Sequence, residues 1–121
     1  MDKVLSCLRA AAEPTRLRLL ALCAVSDMNV TDLTNILRQS QPRVSRHLKL
    51  LCEAGLLDRY REGSWIFYRL ADDSCEEGQI ARNLFSLLPL ENQQLLQDRD
   101  RLDGIRVKRS EAAEAYFKKN A

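Results

Sequence analysis

The chain's only histidine, His47, lies in the stretch SQPRVSRHLKLLCEAGLL, residues 40 to 57, together with Arg43, Arg46 and Lys49. Two chemistries could use such a cluster. Imidazole titrates near neutral pH and ligates metals, so His47 could serve a metal or acid–base site. Guanidinium and ammonium groups on a helix face serve instead to meet an anion. The metal reading has poor material. The four cysteines, Cys7, Cys23, Cys52 and Cys75, are never closer than sixteen positions, and no C-x-x-C occurs. One histidine adds little to a structural zinc site. In a reducing cytosol such cysteines are expected as free thiols that pack as small hydrophobes.

The charge distribution favours the anionic partner. The net charge of the 121 residues is only +2. Residues 38 to 69, however, carry seven basic groups (Arg38, Arg43, Arg46, Lys49, Arg59, Arg61, Arg69) against three acids, while the remainder has twelve basic and fourteen acidic groups. A positive middle between mildly negative ends suggests a localised anionic partner. Composition, 45% hydrophobic and 30% charged, is that of a folded domain. The longest apolar run, LLALCAV at 19 to 25, is too short to span a bilayer, and MDKVLSCLR does not read as a secretory signal. These features predict a cytoplasmic protein with no membrane partner.

The elements that must position the cluster can be read from periodicity. VLSCLRAAA, 4 to 12, predicts a short helix, and Pro14 starts a second, TRLRLLALCAV, apolar nearly all round and therefore central. Ser26, Asp27 and Asn29 read as a loop. VTDLTNILR predicts a third helix, and Arg38, Gln39 and Ser40 a tight turn. In the fourth helix Ser40 is the N-cap, Pro42 suits the first turn and Gly55 ends it. Val44, Leu48, Leu51 and Cys52 share one arc at about 100° per residue, with Arg43, Arg46, His47 and Lys49 outside it. LLDRYREGSWIFYRL then alternates, and Glu62-Gly63 reads as the turn of a β-hairpin with Ile66, Tyr68 and Leu70 on one face and Trp65 and Phe67 on the other. The rest is helical and broken at Pro89. Leu88, Leu95 and Leu102 are spaced by seven, as in a helix–helix seam, and Arg109 interrupts that register.

The predicted fold is thus mainly α with a small β-hairpin, a winged helix-turn-helix in the order ααααββα with a long C-terminal dimerisation helix. The expected division is a DNA-binding domain at 1–90, with helix-turn-helix 30–54 and wing 57–70, and a long helix at 91–121 for dimerisation or as a connector. A helix of this diameter fits the major groove, where its first turns reach furthest in. A hairpin places Arg61 against phosphate or a minor groove. On pattern alone a solvated basic face serves equally well. The basic surplus and the adjacent hairpin tip the reading to DNA.

EPTRLRLLALCA, followed by VTDLTNILRQSQPRVSRHLKLLCEAGLLDRYREGSWIFYRL, resembles the ArsR/SmtB family of bacterial winged-helix repressors over roughly residues 4 to 72. The resemblance implies a homodimer built by the first and last helices, an inverted-repeat operator in double-stranded DNA, and release by an effector. Half-site centres would lie about 10 base pairs apart or somewhat more. By position it implies DNA contacts from Ser40, Gln41, Arg43, Ser45, Arg46 and His47, and from Arg61 on the wing. No glycine-rich nucleotide loop follows a strand, so no methyltransferase or other enzyme activity and no resident cofactor are expected.

Two departures bear on the effector. Family members that sense metals through a C-x-C pair at the start of the third helix have thiolates where this chain has Asn29 and Thr31, and residues 72 to 90 contain no histidine for a second metal site. Metal is therefore not the expected effector. Cys23 and Cys75 are the candidates for a thiol-redox response, against the plainer reading of idle thiols. The tail DRDRLDGIRVKRSEAAEAYFKKNA resembles the connector of members that carry a methyltransferase-like domain, some of which respond to S-adenosylhomocysteine. That leaves a related metabolite as effector, or a place as the DNA-binding part of a larger protein, as alternatives.

Overall fold

The computed structural model describes residues 1–120, in the order α1 (Asp2–Ala11), α2 (Pro14–Val25), β1 (Met28–Asn29), α3 (Val30–Leu37), α4 (Gln41–Glu53), β2 (Leu57–Glu62), β3 (Trp65–Leu70), α5 (Glu76–Leu87) and α6 (Gln93–Lys119). Local chemistry sets the helix ends. Pro14 opens α2, and the Glu13 carboxylate accepts the Arg16 backbone N–H at 2.9 Å, filling one of the orphan donors of the first turn. Asn29 caps α3 in the same way through Asp32 N–H, at 2.8 Å. At the end of α4 the chain makes a Schellman motif, with Leu56 N–H to Leu51 C=O and Gly55 N–H to Cys52 C=O. Gly55 supplies the required positive φ, +83°. Arg38 takes the left-handed conformation that turns α3 into α4.

The sheet has three antiparallel strands in the order β1-β3-β2. The stretch expected as a loop after α2 thus contains a strand, Met28–Asn29, paired with Tyr68 and Phe67. Two residues carry no periodicity, so pairing to β3 defines this strand and no local pattern could. The hairpin register pairs Glu62 with Trp65, which makes Gly63-Ser64 the turn, one residue later than expected. Gly63 has φ +63° and Ser64 does not, the arrangement of a type II′ turn.

Around α2 the core gathers Leu19, Leu20, Leu33, Ile36, Val44, Leu48, Leu51, Leu56 and Leu57, all at most 1% exposed. Each such burial stabilises by roughly 1.5–3 kcal/mol relative to exposure. Part of the seven-residue stripe of the tail packs inside the chain. Leu102 is buried and Leu95 and Ile105 half-buried where α6 packs on α2 and α3. Arg18 of α2 holds Asp98 of α6 through two hydrogen bonds of 2.8 and 2.9 Å, Arg101 donates to the Ile36 carbonyl at 2.7 Å, and Arg109 pairs with Asp32. Exposed apolar side chains lie on α1 (Val4, Leu5, Leu8), at the end of α5 (Leu87) and along α6 itself (Leu96, Val107, Tyr116, Phe117). No helix among the described residues is long and apolar enough to cross a membrane.

Candidate nucleic-acid interface

Three inward anchors fix the rotation of α4. Val44, Leu48 and Leu51 are fully buried, and at 100° per residue this turns the opposite face outward. Gln41, Arg43, Arg46 and Lys49 are exposed there, with Ser45 half-buried between them. Ser40 sits at the N-cap without a side-chain cap bond, so its hydroxyl also points to solvent. Gln41 Nε2 donates to Ser45 Oγ at 3.4 Å, a weak tether that a base edge could replace. Lys49 is drawn only loosely to Glu53, at 3.9 Å, with three quarters of its side chain exposed, a pairing that contributes little.

The wing extends this surface. Strand alternation puts Leu57, Arg59 and Arg61 on one face with Ile66, Tyr68 and Leu70. That face meets α4: Ser45, Lys49, Cys52, Arg59 and Tyr68 line one cleft. Arg61 belongs to the same face as Arg59, one alternation nearer the tip. Sequence reading singled out Arg61 and missed Arg59, although the period of two was sufficient to place both. The other face stacks Tyr60 on Phe67, with Arg69 over the Tyr60 ring and the Tyr60 hydroxyl donating to Asp27.

His47 is placed differently from its neighbours. Only 12% of its side chain is exposed, and the ring turns inward onto α2. Nδ1 lies 3.8 Å from the Glu13 carboxylate and 3.4 Å from the Arg16 guanidinium. Burial, with Arg16, Arg43 and Arg46 nearby, lowers its pKa, and Glu13 opposes the shift only in part. The expected base contact from His47 therefore lacks an outward-facing ring. The reason is the α2 cap beneath it: Glu13 and Arg16 offer the imidazole polar company. Nothing local in the sequence linked residues 13 and 47. Gln39 in the turn also leans on α2, donating to Thr15 Oγ1 at 3.1 Å.

All four cysteines are free thiols, with Cys7 and Cys23 buried and Cys75 exposed. Burial pushes the Cys23 thiol well up, which keeps it protonated and a poor nucleophile. Cys75 caps α5, its Sγ accepting the Gly78 N–H. Asn29 is occupied as the cap of α3, and among the described residues no three His, Cys, Asp or Glu side chains gather as a metal cluster.

Residues 13–59, which contain α2, α3, α4 and the start of the wing, match the model of the bacterial regulatory protein arsR family. A helix-turn-helix regulator of Methanocaldococcus jannaschii, MJ1325, is 36% identical over 77 residues, covering 63% of this chain and 86% of that protein. The chain belongs to the ArsR family. The arsenical resistance operon repressor of Escherichia coli K12 is 48% identical over 61 residues, half of this chain and 52% of that repressor. Among solved structures, the transcriptional repressor BigR of Xylella fastidiosa superposes with a TM-score of 0.65 at 25% identity, over 76% of this chain and 89% of that one. The ArsR-family chain described here is thus a DNA-binding winged-helix regulator, of a family whose members are transcriptional regulators and not enzymes. It spans about half the length of the E. coli repressor it matches.

Proposed function

We propose that the protein is a homodimeric transcriptional repressor that reads an inverted-repeat operator with α4 and clamps the flanking backbone with its wing. The observation that carries this reading is the burial of Val44, Leu48 and Leu51, which aims Gln41, Arg43, Arg46 and Lys49 outward on the side where Arg59 and Arg61 emerge. Arg43 and Arg46 are the base readers, since a guanidinium can fork onto guanine O6 and N7. Ser40, Gln41 and Ser45 add shorter hydrogen bonds. Lys49, Arg59 and Arg61 meet phosphate, and His47 positions α4 against α2 without touching DNA. Dimerisation uses the first and last helices, where Val4, Leu5 and Leu8 of α1 and Leu96, Val107, Tyr116 and Phe117 of α6 stand exposed, because exposed apolar groups mark an interface. Two copies related by a two-fold axis then present two reading helices to half-sites about one turn apart.

The effector is a small organic molecule and not a metal. Asn29 and Thr31 stand where thiolates would be needed, and the Asn29 side chain is already committed to α3. The test is fluorescence anisotropy with the DNA upstream of the protein's own gene, over a range of salt. Log affinity should fall linearly with log salt, with a slope of roughly −0.9 per phosphate contacted. Arg43→Ala or Arg46→Ala should weaken the operator more than unrelated DNA, whereas Arg59→Ala or Arg61→Ala should weaken both alike and flatten the slope. Binding that is absent, or insensitive to salt, would refute the proposal.

A further inference from the structure

A groove of about 550 Å³ runs between the α1–α2 junction and the α5–α6 turn, within the size range of small-molecule sites. Leu17, Leu88, Pro89 and Leu95 give it apolar lining, and Ala12, Glu13 and Arg18 line it as well. The charges around it are not equivalent. Arg18 is spent on Asp98 through two hydrogen bonds. Gln94 donates to the same carboxylate at 3.0 Å. Glu13 has no such partner. One oxygen accepts the Arg16 backbone N–H, and among the described residues the only basic side chain within 4 Å of the carboxylate is His47, at 3.8 Å. An apolar slot lined by a half-buried carboxylate with no guanidinium or ammonium within 4 Å complements a molecule with an apolar body and a terminal ammonium.

We propose that this groove binds a hydrophobic amine, its ammonium on Glu13 and its hydrocarbon part along Leu17, Leu88 and Leu95, and that binding loosens α4 through the Glu13–His47 contact. The regulatory half rests on the operator-binding reading above. Glu13 does two things at once: it caps α2 and it lies against the ring that seats the reading helix. An ammonium that draws the carboxylate into the groove removes both contacts. The pose of α4 that suits the operator is disfavoured, and by reciprocity operator DNA weakens amine binding.

The test uses the full chain and three probes of one shape: 4-phenylbutylamine, 4-phenylbutan-1-ol and 4-phenylbutyrate. Binding to the free protein is read by calorimetry and NMR, so it is scored whether or not DNA binds. The amine should bind at least about ten-fold more tightly than the alcohol, the difference expected for a charge-assisted hydrogen bond, and the carboxylate should not bind. Glu13→Gln should erase the preference. Ala12→Trp, which fills the groove from an exposed position, should block all three probes. Equal affinity for the three, or binding untouched by both variants, overturns the site. Saturating amine should lower operator affinity by roughly five- to 150-fold, the usual range of coupling between sites. Unchanged operator affinity overturns the regulatory half. A protein that binds the amine but no DNA at all refutes the repressor reading and leaves the site standing.

Discussion

Removing the Asp98 carboxylate should unseat α6. Asp98 is 1% exposed and accepts three hydrogen bonds, from Arg18 Nε at 2.8 Å, from the second Arg18 nitrogen at 2.9 Å and from Gln94 at 3.0 Å. Asp98→Ala leaves the Arg18 guanidinium, whose side chain is 15% exposed, without its carboxylate. Removing one member of a buried pair costs about 3–5 kcal/mol, chiefly because the other charge stays buried and unpaired. For 121 residues, an unfolding entropy of about 2.1 cal/mol/K per residue converts this to a fall in Tm of roughly 12–20 °C. The assay is thermal and urea denaturation at one fixed protein concentration, since the stability of any self-associating chain depends on concentration. The double variant Arg18→Met, Asp98→Leu should lie within about 1 kcal/mol of the parent, because an apolar pair of similar volume avoids the desolvation cost. If Asp98→Ala costs less than about 1 kcal/mol, or if the double variant is as unstable as the single one, then α6 does not lean on this pair.

Other perturbations have defined outcomes. Gly78→Ala should destabilise by about 3 kcal/mol or more, because an added Cβ would stand 1.8 Å from the Asp72 carbonyl oxygen. Gly104→Ala, in open space inside α6, should instead stabilise by roughly 0.5–1 kcal/mol; urea midpoints of the two variants check the contrast. Burial, with Arg16, Arg43 and Arg46, holds the His47 pKa below its ordinary value of 6.5, so below that pH the unfolded chain takes up a proton that the folded chain refuses. Stability should therefore fall as pH drops through about 6.5, and His47→Gln should remove that part of the pH dependence in urea titrations. Leu8→Glu, in the exposed apolar face of α1, should yield a monomer by light scattering and abolish tight operator binding.

The sequence carried the parts of the fold that repeat. Apolar residues at helical spacing found α3 and α4, a run apolar nearly all round after Pro14 found α2, and alternation found the hairpin and the two sides of β3. Capping residues did nearly as well: Pro14 and Gly55 lie where they were expected to start and stop helices. Features made by contact between distant residues were not legible. Strand β1 exists only through its pairing with Tyr68 and Phe67. His47 looked outward-facing by position, and its inward turn depends on Glu13 and Arg16, more than thirty residues earlier. The seven-residue spacing in the tail signalled a seam without saying whose. Its members in α6, Leu95 and Leu102, pack toward α2 and α3 of the same chain, while Leu96, Val107, Tyr116 and Phe117 of the same helix stay exposed.

The outward face of α4 is tested most directly by measuring Arg46→Ala on the operator and on unrelated DNA at two salt concentrations. Operator affinity should drop by about 1–3 kcal/mol while unrelated DNA is scarcely affected, as expected when a base contact is lost. Equal weakening on both sequences, or no weakening on either, would contradict the reading of bases by this helix.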